Sequence, residues 1–174
     1  IPFGIEAPGF TLEVIESIDS AWIDELRALL GNQMCEFVGS GYVQLIGPLV
    51  PAEVNTANLK HGRTVYERIL GRQPILALVN EQSYSAGMIP LYIDAGYKAI
   101  IMEWDNAAYG HTGWKPEWRY LPQVARGQDG KTIPVIWNSS VAFQKFQHYA
   151  HGEIGLDEYV QYLRRQVSDE PRAF

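Results

Sequence analysis

Carboxylates follow two apolar segments of the sequence. Glu81 comes two residues after the apolar run Ile75–Val79, and Glu103 and Asp105 follow the apolar run Ala99–Met102. Such runs are typical of strands buried on both faces of a parallel sheet, and ligands bind beyond the carboxyl ends of those strands. Hydrolysis of a glycosidic bond requires two carboxyl groups, one that attacks or polarises water and one that protonates the leaving oxygen. These residues therefore predict carbohydrate chemistry.

Each of these carboxylates also has a purely structural interpretation. A carboxylate directly after a strand is often the N-cap of the next helix or a plain loop residue, and this alternative applies to Glu81. Trp104 separates Glu103 from Asp105, so only one face of that segment points into a site. One of these two carboxylates then only solvates the loop.

Amide and aromatic side chains occur at the same predicted strand ends. Gln44 lies in the β-like run Tyr42–Ile46, and Trp137 ends another apolar run. Tyr84 lies three residues after Glu81. Amides bind sugar hydroxyls, and aromatic side chains pack on the apolar faces of sugar rings. Taken singly, Trp104 and Trp137 are more typical of packing in a hydrophobic core than of a sugar-binding surface.

The composition narrows the possible partners. The 174 residues carry a formal charge of −6 and a pI of about 5.2, which gives no reason to expect nucleic acid or an anionic membrane as a partner. No apolar stretch reaches the roughly 20 residues of a transmembrane helix. The single cysteine, Cys35, excludes an internal disulfide and a multi-thiolate metal site. A neutral substrate such as an oligosaccharide or polysaccharide fits this charge, although the charge does not select one. We expect a cytoplasmic protein without a cofactor.

Helical and strand patterns alternate along the chain. The apolar spacing predicts helices over 20–31, 56–70, 86–95, 141–151 and 156–166, and strands over 35–38, 42–46, 75–79, 99–102 and 132–137. This alternation is typical of a parallel α/β fold. A closed eight-stranded barrel needs about 250 residues, so the roughly four units predicted here favour part of a barrel.

Three segments together resemble glycoside hydrolase family 57. The run 42–47 is similar to the family's second conserved segment, a strand that ends at a polar residue before Gly. The run 80–85 looks like the third segment, which contains the catalytic nucleophile. The run 93–106 is similar to the next helix–Gly–strand element, which ends in an acidic cluster. The resemblance extends from about Gly9 to Phe146.

The resemblance implies both a fold and a reaction. The family has an incomplete (β/α)₇ TIM-like barrel with parallel strands and acts on α-glucans with retention of configuration, using no metal in the chemical step. By this match Glu81 is the nucleophile of a hydrolase or glucanotransferase. The match leaves open whether Glu103 or Asp105 contacts sugar hydroxyls. The residues expected to shape the pocket are Gln44, Tyr84, Trp104 and Trp137.

Two segments of the family have no counterpart in this sequence. These are the opening His-Gln-Pro strand and the later segment that contains the Asp acid/base. We therefore expect residues 1–174 to form a single domain that is an internal part of a catalytic barrel, with the acid/base outside this chain. We expect no turnover by these residues alone, and we expect residues 169–174 to form a turn.

Other functions remain possible on the sequence alone. A metal-dependent polysaccharide deacetylase has a related barrel and needs an Asp and two His as ligands. His148 and His151 have a suitable spacing but no evident partner, and they are also compatible with a solvated helix face. A non-catalytic carbohydrate-binding barrel and an enzyme of another α/β class are the remaining alternatives.

Overall fold

The computed structural model describes residues 3–166. The strands are β1 (Phe3–Glu6), β2 (Cys35–Gly39), β3 (Leu76–Leu78), β4 (Ala99–Glu103), β5 (Gln123–Arg126) and β6 (Thr132–Asn138). The helices are α1 (Gly9–Ile18), α2 (Ser20–Gly31), α3 (Ala52–Leu70), α4 (Met88–Ala95), α5 (Trp104–Tyr109), α6 (Ser140–Ala150) and α7 (Leu156–Gln166). Short 3₁₀ segments lie at 47–49, 80–82 and 116–120. The strands form one sheet in the order β1-β2-β3-β4-β6-β5.

Parallel strands joined by helices build the first of two compact units, residues 3–101 and 124–135. Strand β1 pairs with β2, β2 with β3, and β3 with β4, all in parallel. Parallel neighbours require a crossover connection, and helices supply it here. Their carboxyl ends consequently lie on one edge of the sheet. The predicted α/β class with parallel strands is confirmed.

The hydrophobic core of this unit lies between helices α1–α3 and the first strands. Tyr66 and Ile69 on α3 and Leu12 on α1 are completely buried against Phe37 of β2. The apolar residues of the three helices recur at the three- and four-residue spacing that places them on one face. Packing of these faces fixes the strands, and therefore the position of the loops that follow them.

The second compact unit comprises residues 102–123 and, within the described part of the chain, 136–166. Helices α6 and α7 pack together through aromatic rings: Tyr149 stacks on Tyr159 with centroids 5.5 Å apart and an interplanar angle of 5°. Phe146 meets the same Tyr159 ring at 6.0 Å. The strongly amphipathic sequence of α7 thus turns its aromatic side toward α6.

The strand predicted over Tyr42–Ile46 is wrong, because this segment is an irregular loop ending in a 3₁₀ turn. Its backbone pairs with helix α3: the Val43 N–H donates to Asn58 Oδ1 at 2.9 Å, and Asn58 Nδ2 donates to the Val43 carbonyl at 3.0 Å. Gly62 permits this approach, since a Cβ there would lie 2.4 Å from the Gly41 carbonyl carbon. The Val43 N–H and carbonyl, which a strand would use to pair in a sheet, are therefore occupied by Asn58.

Most of the other predicted elements occur within a few residues of their expected bounds. Elements β1, α1, α5 and β5 were not predicted. The turn expected at 169–174 lies outside the described residues. Within residues 3–166, no helix is both long enough and apolar enough to cross a bilayer.

Candidate active site

Glu81 lies on a tight turn directly after strand β3. The turn spans Asn80–Gln82, and Glu81 has φ 51° and ψ 20°, in the left-handed region. Gln82 is also left-handed, with φ 54°. Left-handed backbone is unfavourable for residues with a Cβ, by roughly 1–2 kcal/mol each. Such strain persists where the surrounding structure enforces it, and it clusters at functional sites.

The Glu81 side chain is exposed. Among residues 3–166, no side chain donates a hydrogen bond to its carboxylate and no cation pairs with it; the Ser83 hydroxyl donates only to the Glu81 backbone carbonyl, at 3.3 Å. Glu81 therefore does not cap a helix through its side chain. An exposed carboxylate without partners, held on a turn at a strand end, is available to attack an electrophilic carbon.

Polar residues at three neighbouring strand ends of the first unit, buried at Ser40 and Asn80 and half-buried at Glu6, were missed by the sequence analysis. Asn80 Nδ2 donates to the Ser40 carbonyl at 2.9 Å, and the Ser40 N–H donates to the Tyr66 hydroxyl at 3.1 Å. Burial raises the pKa of Glu6, and the nearby Ser40 hydroxyl opposes part of this increase. Burial also raises the pKa of Tyr66 to about 12. The signal was present in the sequence for Ser40 and Asn80, which follow the predicted strands, whereas Glu6 ends a strand that was not predicted and Tyr66 lies on helix α3.

Two other predicted residues of the first unit lie in loops. Tyr84 is 45% exposed, and its hydroxyl donates to the Arg126 carbonyl at 3.2 Å. Gln44 is exposed in the loop that replaces the predicted strand. Both side chains are accessible to a ligand, and their roles stay predictions.

Glu103 occupies a very different environment at the end of strand β4. It is 4% exposed, and its carboxylate accepts hydrogen bonds from the N–H groups of Asp105 at 2.9 Å and Asn106 at 2.7 Å. The Ser140 hydroxyl donates a third, at 3.1 Å. Glu103 is therefore the N-cap of helix α5, the structural alternative that the sequence left open.

A cleft of about 410 Å³ opens in the second unit. Its lining combines aromatic rings with charged and amide groups: Trp104, Asp105, Arg119, Tyr120, Trp137, Asn138, Ser139, Ala142 and Phe143. Flat apolar surfaces beside hydrogen-bonding groups suit a sugar ring. The structure brings the predicted residues Trp104, Asp105 and Trp137 together here, and it adds residues that sequence reasoning missed.

Two tryptophans that line this cleft, Trp104 and Trp137, pack together with Trp114, which is not part of the lining. Trp104 is 5% exposed and meets Trp137 edge-to-face at 5.2 Å and Trp114 at 5.5 Å. The His111 ring stacks on Trp114 at 4.3 Å. Phe143, 60% exposed, offers the cleft a far more accessible ring than Trp104 does.

Asp105 is the exposed carboxylate of this cleft. Burial of its carboxyl raises its pKa, the nearby charge and hydrogen bonding of Glu103 raise it further, and the positive charge of Arg119 opposes the increase. An exposed carboxyl in this cleft can accept hydrogen bonds from a polyol.

The two histidines at the end of helix α6, His148 in its last turn and His151 directly after it, share an acidic neighbour. The Nδ1 atoms of His148 and His151 both face the exposed Glu153 carboxylate, that of His151 at 3.9 Å. Within residues 3–166, no three His, Cys, Asp or Glu side chains are grouped so that they could hold a metal ion. This arrangement agrees with a solvated helix face.

Of the comparisons with known proteins, the family model gives one family, and the solved structures give the fold. The family model described as glycosyl hydrolase family 57 matches residues 1–133. No curated protein sequence matches the chain significantly. Solved structures do match, and all three described below show the fold alone, because their identities are under 25%.

The 4-α-glucanotransferase of Thermococcus litoralis is similar with a TM-score of 0.78 and 19% identity, over 98% of this chain and 26% of that one. The exo-type maltose-forming amylase of Pyrococcus sp. ST04 gives a TM-score of 0.69 and 15% identity, over 95% and 27%. The chain thus spans about a quarter of the length of these enzymes.

A putative polysaccharide deacetylase from Mycobacterium smegmatis is also similar, with a TM-score of 0.58 and 15% identity, over 82% of this chain and 42% of that one. The fold is therefore shared by proteins whose names describe different chemistry. The fold alone does not separate these classes of enzyme, and the family match does.

Proposed function

The chain belongs to glycosyl hydrolase family 57, and we propose that Glu81 is the nucleophile of a retaining enzyme that acts on an α-glucan. The resemblance predicted from the sequence is thereby confirmed, and it assigns the chain to a class of glycoside hydrolase-type enzymes. The role of Glu81 and the substrate go beyond the family match and form the proposal.

The exposed Glu81 carboxylate on its left-handed turn is the observation that carries this proposal. In the proposed reaction a Glu81 oxygen forms a bond to the anomeric carbon while the bond to the leaving oxygen breaks. A general acid outside residues 1–174 protonates that oxygen. Water, or a hydroxyl of a second glycan, then gives up a proton and displaces Glu81, so that the configuration is retained.

We propose a separate carbohydrate contact at the cleft of the second unit. Asp105 and Asn138 offer polar oxygens, and the exposed Phe143 ring offers an apolar face for a pyranose. Trp104 and Trp137 support this surface from within. A direct sugar contact by Glu103 stays a prediction. The Glu103 carboxylate already accepts three hydrogen bonds from the protein.

The names of the similar enzymes support an α-glucan as substrate, with hydrolysis and transfer between glycans both compatible with the first step. We propose that the chain forms part of a larger catalytic barrel, as its coverage of these enzymes suggests. The single-domain organisation and the cytoplasmic location stay predictions.

Covalent trapping tests the role of Glu81. The full-length protein is incubated with a fluorinated α-glucosyl fluoride, which forms the glycosyl-enzyme quickly and hydrolyses slowly, and its peptides are analysed by mass spectrometry. We expect the added mass on Glu81 and none in Glu81→Gln. A label on another carboxylate contradicts the assignment. Glucan binding without label or turnover supports the non-catalytic alternative instead.

A further inference from the structure

Asn80 is the buried residue of the turn that presents Glu81. Its side chain is 7% exposed, and Nδ2 donates to the Ser40 carbonyl at 2.9 Å. The backbone of the turn depends on the same residue, since the Ser83 N–H donates to the Asn80 carbonyl at 3.1 Å. Asn80 therefore joins the turn to the end of strand β2.

This contact continues into the core of the first unit. The Ser40 N–H donates to the Tyr66 hydroxyl at 3.1 Å. That hydroxyl lies 2.7 Å from the Gly41 carbonyl and 3.0 Å from the Ala7 carbonyl, within donating distance of both. Tyr66 is completely buried on helix α3. A chain of hydrogen bonds thus runs from a rigid core residue to the residue before Glu81.

Glu81 has no comparable anchor of its own within residues 3–166. A left-handed backbone at a residue with a Cβ relaxes unless neighbouring groups hold it, and Asn80 supplies the buried side-chain contact of this turn. We propose that Asn80 is a positioning residue, which holds the Glu81 carboxylate in its attacking position through the Ser40 carbonyl and the Tyr66 hydroxyl. This inference rests on the proposed role of Glu81 as nucleophile.

The substitution Asn80→Asp tests the inference in the full-length protein. Asp keeps the size of the side chain but replaces the donor with an oxygen that repels the Ser40 carbonyl. A displacement of about 1 Å costs on the order of 100-fold in rate, so we expect kcat on α-glucan to fall roughly 10- to 100-fold. KM should stay within about twofold, because ground-state binding does not use the attacking geometry.

Amide hydrogen exchange gives a second readout that does not depend on activity. The Gln82 N–H donates to the Val79 carbonyl at 3.0 Å and the Ser83 N–H to the Asn80 carbonyl. We expect both amides to exchange faster in Asn80→Asp, with the core amides of α3 unchanged. Tyr66→Phe, one step further from Glu81, should show the same changes to a smaller degree.

Asn55→Asp is the matched control. Asn55 is 4% exposed and its Nδ2 donates to the Gly47 carbonyl at 2.8 Å, so the same type of contact is lost elsewhere in the unit. We expect a similar decrease in melting temperature with kcat unchanged. If Asn80→Asp does not fold, Asn80→Ser is measured by the same criteria.

The possible results are distinct. Wild-type kcat and wild-type exchange in the Asn80 variant, together with loss of activity in Glu81→Gln, overturn the positioning role alone. An equal loss of kcat in Asn55→Asp also overturns it, because the effect is then one of general stability. Full activity in Glu81→Gln overturns the proposed function itself.

Discussion

Glu81 and Glu103 both lie at the end of a parallel strand, but their carboxylates differ in exposure and in hydrogen-bond partners. Glu81 follows the parallel strand β3, and Glu103 is the last residue of the parallel strand β4. The Glu81 carboxylate is exposed and has no side-chain partner among residues 3–166. The Glu103 carboxylate is 4% exposed and accepts three hydrogen bonds, two of them from the start of helix α5.

The comparison shows that the residues after a strand-end carboxylate determine whether its side chain is buried and hydrogen-bonded or exposed. After Glu103 the chain enters a helix at once, and the free N–H groups of its first turn attract the carboxylate. After Glu81 the chain turns through two left-handed residues, so no helix start faces the side chain. One carboxylate is used for structure, and the other remains available for chemistry.

The sharpest test of this comparison is Glu81→Gln. Gln keeps the size of the side chain but is not a nucleophile, so we expect kcat to fall on the order of 10⁴-fold, as it does when one member of a catalytic unit is removed. The free energy of unfolding should change by less than about 0.5 kcal/mol, because the side chain is exposed and has no partner in the described part of the chain. Release of reducing sugar and urea unfolding measure the two effects. A large loss of stability with activity retained reverses the comparison.

Glu103→Ala should show the opposite pattern. It removes the cap of α5 and the acceptor for Ser140, so we expect the second unit to lose about 2 kcal/mol of unfolding free energy. Urea denaturation followed by tryptophan fluorescence measures this change. The control is Glu117→Ala, which removes an exposed carboxylate of the same unit and should be nearly neutral. Equal stability of the two variants contradicts the capping role.

A smaller effect is expected at the cleft of the second unit. Phe143→Ala removes an exposed ring from its lining, and we expect a roughly 2- to 10-fold weaker Kd for a maltooligosaccharide, the equivalent of about 0.5–1.5 kcal/mol. Phe146→Ala is the matched control, since Phe146 is on the same helix but outside the cleft. Titration calorimetry measures both. An unchanged Kd in Phe143→Ala removes the cleft from the binding surface.

The smallest effect is a pH-dependent one at Glu6. Its folded-state pKa is raised by burial, so the folded protein resists ionisation that the unfolded chain undergoes readily. The favourable contribution of Glu6 to the free energy of unfolding is therefore fully present below its unfolded pKa, near 4.5. This contribution is lost as the pH rises through the folded-state pKa. We expect Glu6→Gln to melt a few degrees higher than wild type at about pH 7 and equally at about pH 4. A melting difference that does not change with pH contradicts this prediction.

Apolar runs and their spacing predicted most of the elements, because burial on one or both faces leaves a clear pattern in the sequence. Helix α7 was predicted with its observed bounds, 156–166. The loop at 42–46 was predicted as a strand, because its apolar residues pack under backbone contacts to Asn58 that no local pattern reveals. Strand β1 was missed because its two bulky residues flank Gly4 in a run of only four.

The candidate site likewise has features that the sequence predicted and features that only the structure showed. The sequence by itself determined that carboxylates follow two buried strands and that aromatic residues surround the second of them, because residue type and order along the chain are local properties. Only the tertiary structure decided that the Glu81 carboxylate has no side-chain partner among residues 3–166, that Glu103 caps a helix, and that Ser40, Tyr66 and Asn80 meet. Hydrogen bonding and burial depend on groups brought together from distant parts of the chain, and the spacing of residues in one segment does not contain that information.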